Sequence, residues 1–370
     1  MATDSLGIYV HIPYCVRKCN YCDFCSLQNG RRDVPEEYID ALVREISSYR
    51  AREKRSVNTV YFGGGTPSLL LPKQLGRIMS ALRDVIDISA DAELTFEANP
   101  GTLTEEKARA FKSEGFNRVS LGLQSIHEKE MKKLGRIHTF DEFLHTFRTL
   151  RSVGFANISV DLMYGIPYQT KESFEESVRA LVALSPEHIS AYGLIVEEGT
   201  PFFGEGDALP IPSLDDECDM YYSCASILAD AGYEHYEISN YARAGYRSRH
   251  NSLYWNFGEY IGFGAAAHSF YMGERFFNTE DVSEYIAGAR HTPDNDGTDR
   301  AYEYAMLKLR MKDGFLLSEY ESLFGASFTK GKEELLSRLA KEGLLTLNDG
   351  RIALTERGFY LSNSILVEIL

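Results

Sequence analysis

Cys15-Val16-Arg17-Lys18-Cys19-Asn20-Tyr21-Cys22, followed by Asp23-Phe24-Cys25, places three thiols at C-x3-C-x2-C spacing in one loop. The loop follows Leu6–Ile12, an apolar run that reads as a buried strand. Thiolates are soft ligands suited to iron–sulfur clusters and zinc. A four-iron cube held by three protein thiolates leaves one iron free for another ligand, whereas a fully ligated cube mostly carries electrons. Four of the six cysteines fall within residues 15–25, which is too dense for chance. A disulfide reading conflicts with Met1–Val10, which lacks the basic start and apolar core of an export signal. A zinc site with Cys25 as fourth ligand is the serious competitor. Structural zinc usually takes two separated pairs of ligands, so the spacing favours an iron–sulfur cluster. Spacing alone leaves Cys25 ambiguous.

The chain has 370 residues, enough for one large core or two domains, with 44% hydrophobic and 25% charged residues. Its apolar runs are strand-length, so no transmembrane segment is expected, although peripheral membrane contact stays open. A cytoplasmic, reducing location is the expectation. A formal net charge of −15 argues against a general nucleic-acid binder, which needs a basic face. It leaves room for an anionic small ligand held by local Arg or Lys residues.

Six apolar runs read as strands: Leu6–Ile12, Asn58–Phe62, Glu93–Glu97, Arg118–Leu123, Ile158–Met163 and Ile189–Val196. Amphipathic helices lie between them, marked by Ile39, Leu42, Val43 and Ile46, by Leu75, Ile78, Met79, Leu82 and Ile86, and by Phe140, Phe143, Leu144 and Phe147. A helix at about Asp215–Gly232 closes the series. Strands without polar alternation, each followed by a helix, imply a parallel sheet covered by helices. Repeated right-handed crossovers curl such a sheet into a barrel. Six units predict an α/β fold in the form of a partial (β/α)6 barrel, open on one side. Polar or glycine-rich residues stand at five strand ends: the cysteine loop, Gly63-Gly64-Gly65-Thr66-Pro67, Glu97, Gln124 and Asp161. In β/α barrels these ends build the active site. Singly, each would be a turn or a cap; together, facing one mouth, they read as site residues.

The cysteine loop with the Gly-Gly-Gly-Thr-Pro turn resembles the radical S-adenosylmethionine (SAM) superfamily. Tyr9-Val10-His11-Ile12-Pro13-Tyr14-Cys15, Glu97-Ala98-Asn99-Pro100, Leu121-Gly122-Leu123-Gln124-Ser125 and Asp161-Leu162-Met163-Tyr164-Gly165-Ile166-Pro167 resemble one branch of it, oxygen-independent coproporphyrinogen III oxidase and its relatives. The likeness covers nearly the whole chain, with motifs in the same order. It implies a [4Fe-4S] cluster on Cys15, Cys19 and Cys22, with SAM chelating the remaining iron. By motif position SAM would further touch Tyr9, Tyr21, Gly64, Gly65, Thr66, Glu97, Gln124, Arg136 and Asp161. Carboxylates and amides hold hydroxyls and an ammonium, and a guanidinium meets a carboxylate. Reductive cleavage of the sulfonium would follow from the family's chemistry. No catalytic residue is assigned.

Arg249-His250-Asn251-Ser252-Leu253-Tyr254-Trp255 carries the only tryptophan. A histidine flanked by aromatic surfaces suits a flat macrocycle with an axial iron site, yet a lone histidine is more often structural. The His-Asn-x-x-Tyr-Trp pattern resembles heme chaperones of this branch, which makes His250 the expected heme contact. The partners implied are heme-accepting proteins, respiratory or other hemoproteins. Only fourteen residues precede Cys15, where true oxidases carry a longer N-terminal region. Their extra cysteine also stands two residues after the third ligand, whereas Cys25 stands three after Cys22. Cys25 is therefore read as non-ligating. Cys218 and Cys224 read as partly buried thiols on one helix.

The expected division is residues 1–235 as the barrel, 236–290 as a connecting region with the His-Asn-x-x-Tyr-Trp motif, and 291–370 as a C-terminal, mainly helical, winged-helix-like domain. His291–Arg300 is the expected linker. Helical patterns at Tyr302–Met311, Leu317–Phe324 and Glu333–Gly343 precede a hairpin signalled by Asn348-Asp349-Gly350. With charges nearly balanced there, the module reads as a lid or docking unit. A SAM- and cluster-containing heme chaperone is the leading reading. Oxidative decarboxylation of coproporphyrinogen III is the first rival and a non-radical zinc protein the second.

Overall fold

Apolar runs of strand length, alternating with one-sided helices, close around a central space. The computed structural model describes residues 6–49, 55–289, 292–294, 297 and 299–370. Within it the expected runs form β1 (Leu6–Ile12), β2 (Ser56–Gly64), β3 (Asp87–Ala98), β4 (Arg118–Gln124), β5 (Asn157–Tyr164) and β6 (His188–Gly193). Each pairs in parallel with the next in sequence. Outside them pack α1 (Glu36–Ser48), α2 (Pro72–Val85), α3 (Glu105–Ser113), α4 (Glu128–Leu134), α5 (Phe140–Val153), α6 (Lys171–Leu184) and α7 (Leu214–Asp230).

Local chemistry sets these boundaries. The Thr139 hydroxyl accepts from the Glu142 N–H, and the Glu142 carboxylate accepts from the Thr139 N–H, so α5 starts on a capping box. It ends at Gly154, whose φ of 98° only glycine adopts freely. Ser213 and Asp216 start α7 in the same way. The inner faces carry Ile39, Leu42 and Ile46 from α1, Leu75, Ile78 and Leu82 from α2, and Phe143 and Leu150 from α5, all buried against the sheet. Burial of each such side chain stabilises the fold by about 1.5–3 kcal/mol.

Two expectations need correction. The strands do alternate: Arg118, Ser120, Gly122 and Gln124 in β4 line the central space, while Val119, Leu121 and Leu123 are buried in the helical layer. The period of two appears because the barrel interior is hollow and polar rather than packed with aliphatic side chains. Segment 236–290 is also no mere connector. β7 (Glu234–Glu237) and β8 (Asn240–Ala242) extend the sheet antiparallel beyond β6. After α8 (Arg249–Trp255), β9 (Glu259–Phe263) pairs in parallel with β1 at the opposite edge. β10 (His268–Tyr271), β11 (Glu274–Phe277) and β12 (Thr292–Pro293) continue antiparallel from there. The described sheet thus runs β12-β11-β10-β9-β1-β2-β3-β4-β5-β6-β8-β7. The 235/236 boundary falls inside it because both edges of a partial barrel expose unpaired backbone that additional strands satisfy. The 290/291 boundary and part of the expected linker lie outside the described residues.

The C-terminal module contains helices at Arg300–Lys308, Leu317–Phe324 and Glu333–Lys341, with β13 (Phe315–Leu316), β14 (Leu345–Asn348) and β15 (Arg351–Leu354) in the order β13-β15-β14. Asp349 and Gly350 both have positive φ, 50° and 73°, which fits the turn of a tight hairpin. Two short helices, Glu356–Tyr360 and Ser362–Ile369, end the chain. Tyr304, Phe315, Leu336, Leu339 and Ile352 form its core, which reaches α7 through Tyr221. The module flanks the barrel.

Candidate functional site

Where the parallel strands end, a cavity of about 650 Å³ opens. Cys15, Cys19, Tyr21, Cys22, Gly64, Gly65, Thr66, Glu97, Gln124, Arg136 and Asp161 all line it. Among the described residues the lining ends at Asn251.

Each wall is held by specific bonds. Glu97 accepts from the Tyr61 hydroxyl at 2.8 Å and from the Gly64 N–H at 3.1 Å. Asp161 accepts from the Ser120 hydroxyl at 3.1 Å. Gln124 sits at φ 73° beside a register slip between β4 and β5, a strained position that re-aims its side chain. Its amide oxygen accepts from the Tyr192 hydroxyl at 3.3 Å. Arg136 is not a solvated helical arginine. It lies just after α4, where its guanidinium donates to Asn99 Oδ1 at 2.7 Å, to the Gly122 carbonyl and to Cys19 Sγ at 3.6 Å. Its buried Nε has no partner among the described residues.

The thiols have donors facing them: Thr66 Oγ1 lies 3.5 Å from Cys15 Sγ, and Arg136 reaches Cys19. The Thr66 donor favours thiolate on Cys15. Burial acts the other way on Cys15 and Cys22, raising both thiols, so metal loading must displace protons. Burial also raises Glu97, to about 7, and raises Asp161. Among the described residues, no three His, Cys, Asp or Glu side chains are grouped for a single ion. Gly65 is pressed against backbone, since a Cβ there would stand 2.7 Å from the Tyr14 carbonyl oxygen. Three loop thiols, two of them with facing donors, a glycine cradle and a buried guanidinium with a free N–H fit a cluster bearing a zwitterionic ligand.

Other expected site residues stand elsewhere. Tyr9 does not line the cavity: it stacks on Tyr61, with centroids 6.3 Å apart, and its hydroxyl lies 2.9 Å from His11 Nδ1. Cys25 points away, donating from Sγ to the Glu280 carbonyl at 3.4 Å. His250 is 1% exposed, with Nδ1 2.8 Å from Thr59 Oγ1 and Nε2 2.7 Å from the Tyr254 hydroxyl. Both ring nitrogens are engaged inside the barrel by these two hydroxyls. Asn251, its neighbour, does line the cavity. The sequence reading missed Tyr61, Asn99, Arg118 and Tyr192. The signal for Tyr61 and Arg118 was their two-residue spacing from Gly63 and from Ser120, Gly122 and Gln124; Asn99 and Tyr192 carried none beyond adjacency to Glu97 and Ser190.

Residues 9–181 match the radical SAM superfamily, and residues 295–361 match the HemN C-terminal domain. The heme chaperone HemW of Lactococcus lactis subsp. lactis (strain IL1403) is 36% identical, the match covering 98% of this chain and 96% of that one. HemW of Escherichia coli (strain K12) is 34% identical over 98% of this chain and 97% of that one. The structure of coproporphyrinogen III oxidase (HemN) from Escherichia coli, a radical SAM enzyme, superposes with a TM-score of 0.84 at 24% identity, covering 98% of this chain and 89% of that one. That likeness confirms the α/β architecture with its C-terminal helical unit. A barrel mouth lined by three loop cysteines, with full-length similarity running through the motif helix and the C-terminal module, establishes that the chain belongs to the HemW family of the radical SAM superfamily.

Proposed function

We propose that this protein is a heme chaperone that binds heme, carries a SAM-ligated [4Fe-4S] cluster and passes heme to an acceptor hemoprotein. The observation that carries it is the 36% identity with a heme chaperone over 98% of this chain and 96% of the relative. Cys15, Cys19 and Cys22 hold the cluster. The Arg136 guanidinium meets the methionine carboxylate, and Glu97, Gln124 and Asp161 take the remaining polar groups of SAM. The cluster with SAM supplies one-electron reductive cleavage of the sulfonium carbon–sulfur bond. The chain's own residues set the conditions: Thr66 and Arg136 place donors at Cys15 and Cys19, Gly64 and Gly65 admit the ligand to the backbone, and the buried walls exclude water. Cys25 is outside the ligand set. At the mouth, the exposed apolar side chains of Phe24, Ile137 and Ile195 (71%, 49% and 64%) support a flat apolar ligand resting there.

The test is anaerobic reconstitution followed by heme titration and then addition of an apo-hemoprotein such as apomyoglobin. A Soret band on this protein that moves to the acceptor supports the chaperone. Sustained conversion of coproporphyrinogen III to vinyl products with SAM and reductant overturns it in favour of the oxidase. Colourless protein with stoichiometric zinc overturns both.

A further inference from the structure

The His-Asn-x-x-Tyr-Trp motif forms the short helix α8. Here α8 plugs the barrel from beneath. Its first turn is tied to the sheet: the N–H groups of Arg249 and His250 both donate to the Glu93 carboxylate at 3.1 Å. The His250 imidazole spans two hydroxyls, Thr59 of β2 at 2.8 Å and Tyr254 one helical turn on at 2.7 Å. Its face stacks on Tyr61, with centroids 5.0 Å apart and planes 22° from parallel. Tyr9, paired with Tyr61 on the neighbouring strand, also stacks on it, with centroids 6.3 Å apart and planes 21° from parallel. The Tyr61 phenol donates to Glu97 Oε1 at 2.8 Å, while Glu97 Oε2 accepts the Gly64 N–H.

We infer that His250 is a positioning residue for the SAM pocket: pinned by Thr59 and Tyr254, it fixes the Tyr61 ring and through it the Glu97 carboxylate at the cavity wall. A phenol whose ring packs against both His250 and Tyr9 is restricted in the orientations in which its O–H meets Glu97. A carboxylate held by that O–H and the Gly64 N–H keeps its direction when no ligand is present. The motif therefore acts on the cofactor side of the protein. This goes beyond the chaperone reading and uses it only for the heme measurement below.

The experiment uses the full chain reconstituted anaerobically and compares wild type with His250→Ala, His250→Gln, Tyr61→Phe and Leu253→Ala. SAM affinity is read by equilibrium dialysis, its contact with the cluster by the change in the reduced-cluster EPR signal on adding SAM, and heme by Soret titration. His250→Ala and Tyr61→Phe are expected to weaken SAM about tenfold and blunt the EPR change, with Soret position and heme affinity unaltered. His250→Gln, whose amide can serve both hydroxyls, restores most of the SAM affinity. Leu253→Ala, in the same helix but buried on Gly7 and Gly258, lowers the melting temperature with SAM affinity intact. Loss of the Soret band in His250→Ala or His250→Gln with normal SAM binding overturns the inference, as does unchanged SAM affinity in both His250→Gln and Tyr61→Phe. If His250→Ala does not fold, Tyr61→Phe and His250→Gln decide. Failure of wild type to bind heme removes the chaperone reading and leaves the SAM comparison standing.

Discussion

Gly65→Ala is the sharpest perturbation of the cluster mouth. Gly65 donates its N–H to the Ile12 carbonyl at 2.8 Å, and its Cα faces the next segment of backbone. An added Cβ would lie 2.7 Å from the Tyr14 oxygen, 2.8 Å from its nitrogen and 2.9 Å from its carbonyl carbon. Comfortable contact is about 3.5–4.0 Å, so the two segments must part by about 0.5–1 Å. Because the obstacle is backbone, no side-chain rotation relieves it, and overpacking of this kind costs about 1–3 kcal/mol. Either Tyr14-Cys15 or Gly64-Thr66 moves, and both moves stretch the 3.5 Å contact of Thr66 with Cys15. The expected result is a lower melting temperature, less iron per chain after reconstitution, and SAM affinity reduced at least tenfold, which is about 1.4 kcal/mol. Gly76→Ala in α2 is the control, because the nearest atom there is a Glu114 side-chain oxygen at 3.5 Å. It should gain about 0.5–1 kcal/mol from helix propensity. A Gly65→Ala protein with wild-type iron content and SAM affinity would refute the close-approach argument.

Replacing Cys15, Cys19 or Cys22 with Ala is expected to abolish the absorption of the reconstituted cluster, while Cys25→Ala keeps it; iron and sulfide analysis decides, and loss with Cys25→Ala defeats the three-thiolate assignment. Arg136→Lys should weaken SAM about tenfold, because an ammonium cannot serve Asn99, Gly122 and Cys19 together as the fork does; equal affinity by equilibrium dialysis would contradict this. His138 and His250 are held down to about 3, first by burial and then by Arg136 and Arg118 respectively. The unfolded chain takes up these protons below about pH 6.5 and the folded one does not, so stability is full above 6.5 and falls with acid. Each is expected to lose about 2 kcal/mol by pH 5. Urea midpoints at pH 7 and pH 5 measure it, and a flat profile contradicts the buried-neutral assignment.

Much of the fold was legible because its signals are local. Each parallel strand announced itself as a short apolar run, and the helices as one-sided stripes. Even the hidden alternation of Ser120, Gly122 and Gln124 stood in the sequence, masked by the small size of glycine and serine. The site was legible wherever function sits at a strand end or in a tight loop, as with Gly64 to Thr66. It was not legible where position depends on distant pairing. Tyr9 and Tyr61 lie on neighbouring parallel strands, and only their pairing, Tyr9 beside Tyr61, stacks the two rings.

The order of strands and helices, the thiol trio and the helix caps were determined by the sequence alone, since spacing and periodicity act over a few residues. Which way His250 faces, how far Arg136 is buried, and that residues 259–263 return to lie beside β1 were decided only by tertiary structure. Those outcomes depend on backbone edges and hydroxyl partners distant in sequence, such as Thr59, 191 positions from His250, Gly122, 14 positions from Arg136, and Leu6 opposite Glu259. No window of neighbouring residues carries that information.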